Sequence, residues 1–528
     1  MNRGRLVTMA LPALLALGGI SGIQPSAAAE SVNTPNMSHV ANLQYPTEVY
    51  PLGTPFEYEL EFGYEDPTVP PQGGSDLETT TLIADVGNGA ESRDFVVSGA
   101  YRNGLQLIDV TDPENPVIAQ TFGCGMAQGD VQIFSRAGRT YALFGQDDIS
   151  GHALYTTKCF QDALAIYGIG TPQSPGDVDA IEGYGTLIID ITNPYDSTSA
   201  NRVRTVGWAR EWDGSHNTTI DPTGNYIYNS NQDLIPKTPL GGQAIYRMEV
   251  FDIQNLANPI KVAEVPFSMG AGPHDVTFSA DGNRAYVAAL THTVVLDTTN
   301  KAAPTVIGVI EDPAITIHHQ ADPIDIDGRR FLVISDELAG VIEGLAACPG
   351  GGLHIYDVTG DLEKTPLKVG FFAIPQVAPP LQDHLRCTAH VFRAYPEQGI
   401  MTIAWYGAGV RVLDISNLAG VSVGLDPNLT GSLGAGIKEL GSFYFPQTET
   451  QVGSQTWAAK IHEFEADGSA YIFANDLDRG FDVYHYDAGA PSASDPGTWL
   501  AGQDVLHTLG PAAVTTTPAL PYCALRTT

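Results

Sequence analysis

Short runs of alternating apolar and polar residues, many rich in β-branched side chains, recur along the chain and are broken by Gly, Pro, Asn and Asp. Such runs predict short strands joined by tight turns. The clearest stretch lies between His274 and Asp312. His274-Asp-Val-Thr-Phe-Ser-Ala-Asp-Gly282 alternates and ends in an Asp-Gly turn. Asn283-Arg-Ala-Tyr-Val-Ala-Ala predicts a second strand, His292-Thr-Val-Val-Leu-Asp297 a third, and Thr305-Val-Ile-Gly-Val-Ile a fourth. Helical periodicity is almost absent.

The four-strand unit repeats. Gly104-Leu-Gln-Leu-Ile-Asp109-Val-Thr-Asp112-Pro113-Glu-Asn-Pro116 is echoed by segments ending at Asp190, Asp252, Asp297, Asp357 and Asp414. From Asp252 to Asp297 the spacing is 45 residues, the length of a four-stranded propeller blade. Seven second-and-third-strand pairs can be counted, centred on 95–109, 141–190, 226–252, 285–297, 331–357, 401–414 and 471–486. The expected fold is therefore all-β: a seven-bladed β-propeller of four-stranded antiparallel blades. The last blade lacks an obvious fourth strand. His39-Val-Ala-Asn-Leu-Gln-Tyr45 resembles Lys261-Val-Ala-Glu-Val-Pro-Phe267, a fourth strand, and would close the ring from the N-terminal side. Gln503-Asp-Val-Leu-His-Thr-Leu509 competes for that place. The expected division is a leader over 1–29, an N-terminal segment over 30–78, the propeller over 79–487 and a tail over 488–528.

The Leu-x-Ile/Val-Asp-Val-Thr-Asp-Pro-x-x-Pro unit resembles the LVIVD repeat of bacterial secreted and surface β-propellers. The resemblance runs over about residues 80 to 487. It is closest in Gly104–Pro116, good at Asp190, Asp252 and Asp357, and weak near Asp297 and in the last blade, where His485 stands in place of Asp. It implies the fold and says little about activity, because propellers host many functions.

The N-terminus changes the expected compartment. Arg3 and Arg5 precede an apolar stretch from Leu6 to Ile23, and Ala27-Ala28-Ala29 forms a small-residue cleavage signal. This is the pattern of a secretory signal peptide. No later stretch is long and apolar enough for a membrane span. A secreted or cell-surface-associated monomer is expected. With 60 acidic residues against 26 basic ones, the net charge of −34 argues against nucleic-acid partners. Among five cysteines, Cys124 and Cys159 fall in elements adjacent in space, as do Cys348 and Cys387, and two disulfides are expected. Cys523 is left over.

Candidate chemistry gathers at one rim. The long insertions between second and third strands, and the connections into the next blade, share the end of the propeller where the innermost strands begin. Five of those strands carry histidine near their start: His216, His274, His319, His390 and His462. At the His318-His319 pair, register places His319 inward. Ends of second strands add Asp147, Asp233, Asp336, Glu337 and Asp476 to the same rim, and Asp130 occupies the histidine register in the second blade. Imidazoles with carboxylates suit Zn, Mn, Fe or Cu. Ca²⁺ is less suited because it prefers oxygen ligands. Three alternatives stay open: the histidines tie neighbouring blades by hydrogen bonds, they hold a metal or a substrate, or they serve as acid–base groups without a metal. The corresponding functions are a binding or interaction module for an extracellular small molecule, glycan or protein, and a metal-dependent lyase, hydrolase or oxidase.

Overall fold

The repeat aspartate explains why each blade turns where it does. Asp109, Asp190, Asp252, Asp297, Asp357 and Asp414 each end a third strand and accept a hydrogen bond from the backbone N–H two residues on. A carboxylate that satisfies its own turn backbone stops the strand without help from water. Arg93, Arg139 and Arg329, each at the start of a second strand, pair with Asp109, Asp190 and Asp357 and pin that turn to its own sheet.

A computed structural model describes residues 31–46, 73–87, 89–100, 104–124, 129–145, 157–170, 184–196, 198, 202–211, 215–231, 247–267, 272–337, 351–374, 387–420, 436–448 and 450–491. Its strands form seven antiparallel sheets. Blades 1 to 6 each take four strands in chain order. Their innermost strands are Gly74–Asp85, Val131–Arg136, Ser215–Ile220, Asp275–Phe278, His318–Ile326 and Phe392–Tyr395. Blade 7 runs outward from Thr456–Phe464 through Ala470–Asp476 and Gly480–Tyr486. Its fourth strand is Met37–Leu43, which pairs with Gly480–Tyr486 through His39 opposite Tyr484. The ring is thus closed by the N-terminal strand that sequence similarity suggested; the competing segment 503–509 lies outside the described residues.

Three features depart from the sequence expectation. The first innermost strand begins at Gly74, so the propeller starts several residues before position 79. Val32–Asn33 adds a fifth strand to blade 6, opposite Tyr444 and Phe443. One helix, Lys158–Ile166, stands in the insertion of blade 2 and packs Phe160 edge-on against Trp208. It escaped detection because its apolar face spans barely two turns.

Apolar packing lies between blades. Seven buried clusters each join one blade to the next, such as Ile355 and Phe372 with Ile403 and Trp405 between blades 5 and 6. Tyr286 and Val295 meet Leu332 and Ile334 between blades 4 and 5. Each sheet buries both faces against neighbours, which leaves the polar edges of the innermost strands to line a central channel. The Cys124–Cys159 disulfide ties the helix to the connection entering blade 2. Cys387 is also disulfide-bonded, while Cys348 lies outside the described residues.

Candidate metal centre

The innermost strands of blades 3 to 6 each bring one imidazole to the channel at its loop-bearing end. His216 is the second residue of its strand, His274 immediately precedes its strand, His319 is second in its strand, and His390 stands two residues before Phe392. Successive ring centroids, from His216 to His274 to His319 to His390, are each 4.3 Å apart. All four residues are at most 3% exposed. His216 Nε2 and His274 Nε2 approach to 2.9 Å. His318, next to His319, instead turns into the blade 4–5 interface and bonds Thr293 Oγ1 through Nδ1 at 2.8 Å.

Backbone contacts set the ring orientation. His390 Nδ1 lies 2.6 Å from the carbonyl of Trp457, in the next blade. A carbonyl can only accept, so Nδ1 carries the proton and Nε2 is the unprotonated nitrogen. Burial, reinforced by the neighbouring imidazoles, holds the pKa of His274 and of His319 well below the usual histidine range. Both rings are therefore neutral donors at neutral pH.

Glu337 supplies the carboxylate. It follows the second strand of blade 5, is fully buried, and sits 3.7 Å from His319 Nε2 and 4.0 Å from His390 Nε2. Tyr406 OH donates to Glu337 Oε1 at 2.9 Å, and its ring rests 4.6 Å from that of His390. Ligand atoms of His274, His319 and Glu337 all lie within 4.8 Å of one another. Nitrogen from several neutral imidazoles with one carboxylate oxygen is a donor set for a borderline divalent transition ion.

His462 is not part of this cluster. Its Nε2 faces Asp94 Oδ1 at 3.2 Å and Thr81 Oγ1 at 3.1 Å, away from the four rings. It falls out of the cluster because the innermost strand of blade 7 carries two register shifts. Trp457, not His462, reaches the histidine layer there.

The rim carboxylates divide by role. Asp336 accepts from the N–H groups of Thr316 and Ile317, both at 3.0 Å, and so anchors the entry to blade 5. Asp476 does the same in blade 7, accepting from Gln455 N at 2.7 Å and Thr456 Oγ1 at 3.2 Å. Burial pushes both carboxyls up to about 7. Asp130 accepts from Thr218 N at 2.7 Å and faces the channel, where burial and then the nearby Asp76 raise its pKa well above the usual range. Asp147 and Asp233 lie outside the described residues.

The four imidazoles line a cavity of about 310 Å³ in the channel, to which all seven blades contribute. Lys460 Nζ crosses to Asp76 at 2.9 and 3.2 Å and to Glu78 at 3.0 Å, and Glu78 also pairs with Arg393. Sequence reasoning missed Asp76 and Glu78 because the propeller was expected to begin after them. Tyr406 carried no repeat signal at all.

No family model matches the chain, and no curated protein matches it. Similar solved structures include the periplasmic gluconolactonase of Pseudomonas aeruginosa, at 10% identity and TM-score 0.42, covering 80% of this chain and 98% of that one. A functionally unknown protein from Desulfotomaculum acetoxidans matches at 15% identity and TM-score 0.37, over 65% of this chain and 83% of that one. The C-terminal WD40 domain of Sif2 matches at 10% identity and TM-score 0.39, over 79% of this chain and 82% of that one. The fold is a seven-bladed propeller.

Proposed function

We propose that this chain is an exported, transition-metal-dependent propeller enzyme, with one ion held by His216, His274, His319 and His390 and charge-compensated by Glu337. The observation that carries the proposal is the row of four buried imidazoles at 4.3 Å spacing beside a fully buried carboxylate. Histidines serving only to tie blades would satisfy both ring nitrogens within the protein. Here the Nε2 atoms of His319 and His390 both face the buried carboxylate of Glu337, at 3.7 and 4.0 Å. The bound ion would act as a Lewis acid toward a small molecule in the channel. Neutral imidazoles hold it without repelling its charge, and Glu337 supplies a compensating negative charge. The leader-like residues 1–29 and the Cys124–Cys159 disulfide support export, since such a bond persists in oxidising compartments.

The test is metal analysis of the gently purified protein against His274→Ala/His319→Ala. A near-stoichiometric transition metal, absent from the folded double variant, is expected. Wild-type protein that holds no metal and cannot be reconstituted with Zn, Mn, Fe or Cu would overturn the proposal.

A further inference from the structure

Between blades 4 and 5, outside the channel, lies a buried imidazole that the metal centre does not use. His354, on the third strand of blade 5 (Gly352–Asp357), is 3% exposed, and neither ring nitrogen has a hydrogen-bond partner among the described residues. Each nitrogen faces a carboxylate instead. Nδ1 lies 3.9 Å from Asp312 Oδ2, and Nε2 lies 3.9 Å from Asp336 Oδ2. A neutral imidazole offers one N–H and one lone pair, and a lone pair aimed at a carboxylate finds no donor. An imidazolium offers two N–H groups, one for each carboxylate. The surroundings therefore match the charged ring in hydrogen bonding and oppose it in solvation. Burial, followed by Lys368, holds the pKa of His354 well below the usual histidine range, against the pull of Asp312. The ring is neutral at neutral pH.

Other charged or titratable groups face the ring from each neighbouring element. Lys368, on the fourth strand, and Tyr356, on the same strand as His354, both bind Asp312. His318, on the innermost strand, bonds Thr293 Oγ1 and is kept neutral by burial. Phe371 packs on the ring, with centroids 4.7 Å apart. The two carboxylates hold the ends of one short connection. Asp312 accepts from Ala314 N at 2.9 Å, and Asp336, on the second strand, accepts from Thr316 N and Ile317 N, both at 3.0 Å. That connection, 313–317, leads straight into His318 and His319. Bringing either carboxylate from 3.9 Å to hydrogen-bond distance takes a shift of about 1 Å, which those amide bonds resist.

We propose that His354 is an acid-operated latch: a proton taken up by its ring opens the 313–317 connection and withdraws His319 from the metal centre. Only when the connection lifts does the cation gain water and room to meet both carboxylates. As regulation of metal binding this rests on the metalloenzyme proposed above. The opening itself does not need the ion. An opened ring titrates at about 6.5 and the closed ring far lower, so opening takes up a proton below about pH 6.5, and stability present above that value is lost as pH falls. Between pH 7.0 and 5.0 the opening equilibrium should rise about 25-fold.

Hydrogen exchange of the metal-stripped full-length protein, read by mass spectrometry and corrected for the intrinsic pH dependence of amide exchange, tests this at 313–317. The entry to blade 7 is a control within the same molecule. Asp476 holds Gln455 N there as Asp336 holds Ile317 N, and no imidazole is bonded to Asp476 among the described residues. Protection at 313–317 is expected to fall about 25-fold between pH 7.0 and 5.0, well beyond any fall at 455–456. His354→Phe, which keeps a ring against Phe371 and cannot titrate, is expected to bring the two segments level. No fall at 313–317 in the wild-type protein, or the same fall in both segments, overturns the proposal whatever the variant does. A fall that persists in folded His354→Phe also overturns it. Metal content of loaded samples over the same pH range separates the two claims. An ion that cannot be loaded at pH 7.0 overturns only the metalloenzyme, and the exchange result still decides the latch. An ion retained down to the same pH by the wild type and the folded variant overturns the latch's control of the metal.

Discussion

Replacing Lys460 with methionine keeps most of the side-chain volume and removes a charge that touches two carboxylates from blade 1. Lys460 is 5% exposed, with Nζ 2.9 Å from Asp76 and 3.0 Å from Glu78. Deleting one partner of a buried ion pair costs about 3–5 kcal/mol, since the other charge stays behind uncompensated. The lower end applies here, because Arg393 still holds Glu78 and the cavity can hydrate Asp76. A loss of about 3 kcal/mol at pH 7.5 is therefore expected. The loss should depend on pH. Burial raises the Glu78 pKa, but Arg393 and Lys460 outweigh it and leave the folded value below the ordinary 4.5. A depressed carboxylate contributes stability above its unfolded pKa, and that contribution is lost as pH falls through the folded value. In Lys460→Met much of it is already gone, and the Glu78 carboxylate takes up a proton more readily. The gap between variant and wild type should narrow as pH drops from 7.5 to 4.5. Urea denaturation followed by tryptophan fluorescence and far-UV circular dichroism measures this, provided the two transitions coincide. A loss under about 1 kcal/mol at pH 7.5, or one that stays constant down to pH 4.5, would refute the reasoning.

Three other outcomes follow from the same contacts. Removing the disulfide with Cys124→Ala/Cys159→Ala frees a loop with a sequence separation of 35 and should cost about 4 kcal/mol, read as a drop in urea midpoint that reductant reproduces in the wild type. Tyr406→Phe deletes the donor to Glu337; metal affinity by competitive chelation should fall about 10–100-fold, while an unchanged affinity would remove Tyr406 from any part in holding the site. His462→Ala should leave metal content at the wild-type level and stability within about 1 kcal/mol, since its bonds to Asp94 and Thr81 are partly solvated; loss of the ion would place His462 in the site after all.

The blades were legible in the sequence because their signals are local. Alternation, Asp-x-Thr turns and Asp-Gly turns act over a few residues, and each appears in the structure as a strand or a strand end. The N-terminal closing strand could be recognised because it keeps the pattern of a fourth strand, as in Lys261–Phe267. The gathering of His216, His274, His319 and His390 was legible only as a shared register, since the ring that brings blades 3 to 6 around one channel is a property of the whole chain. That register failed for His462, where two strand irregularities break strict alternation. Tyr406 and Trp457 were invisible because nothing repeated marks them. They matter through contact with His390, which comes from a different blade than Trp457.

The central claim is that four imidazoles share one ion, and anomalous diffraction from crystals of the metal-reconstituted protein tests it most directly. The account predicts a single strong peak at the channel mouth, about 2.0–2.2 Å from the Nε2 atoms of at least three of His216, His274, His319 and His390. A map with no peak there, and with the rings instead bonded to neighbouring backbones, would contradict it.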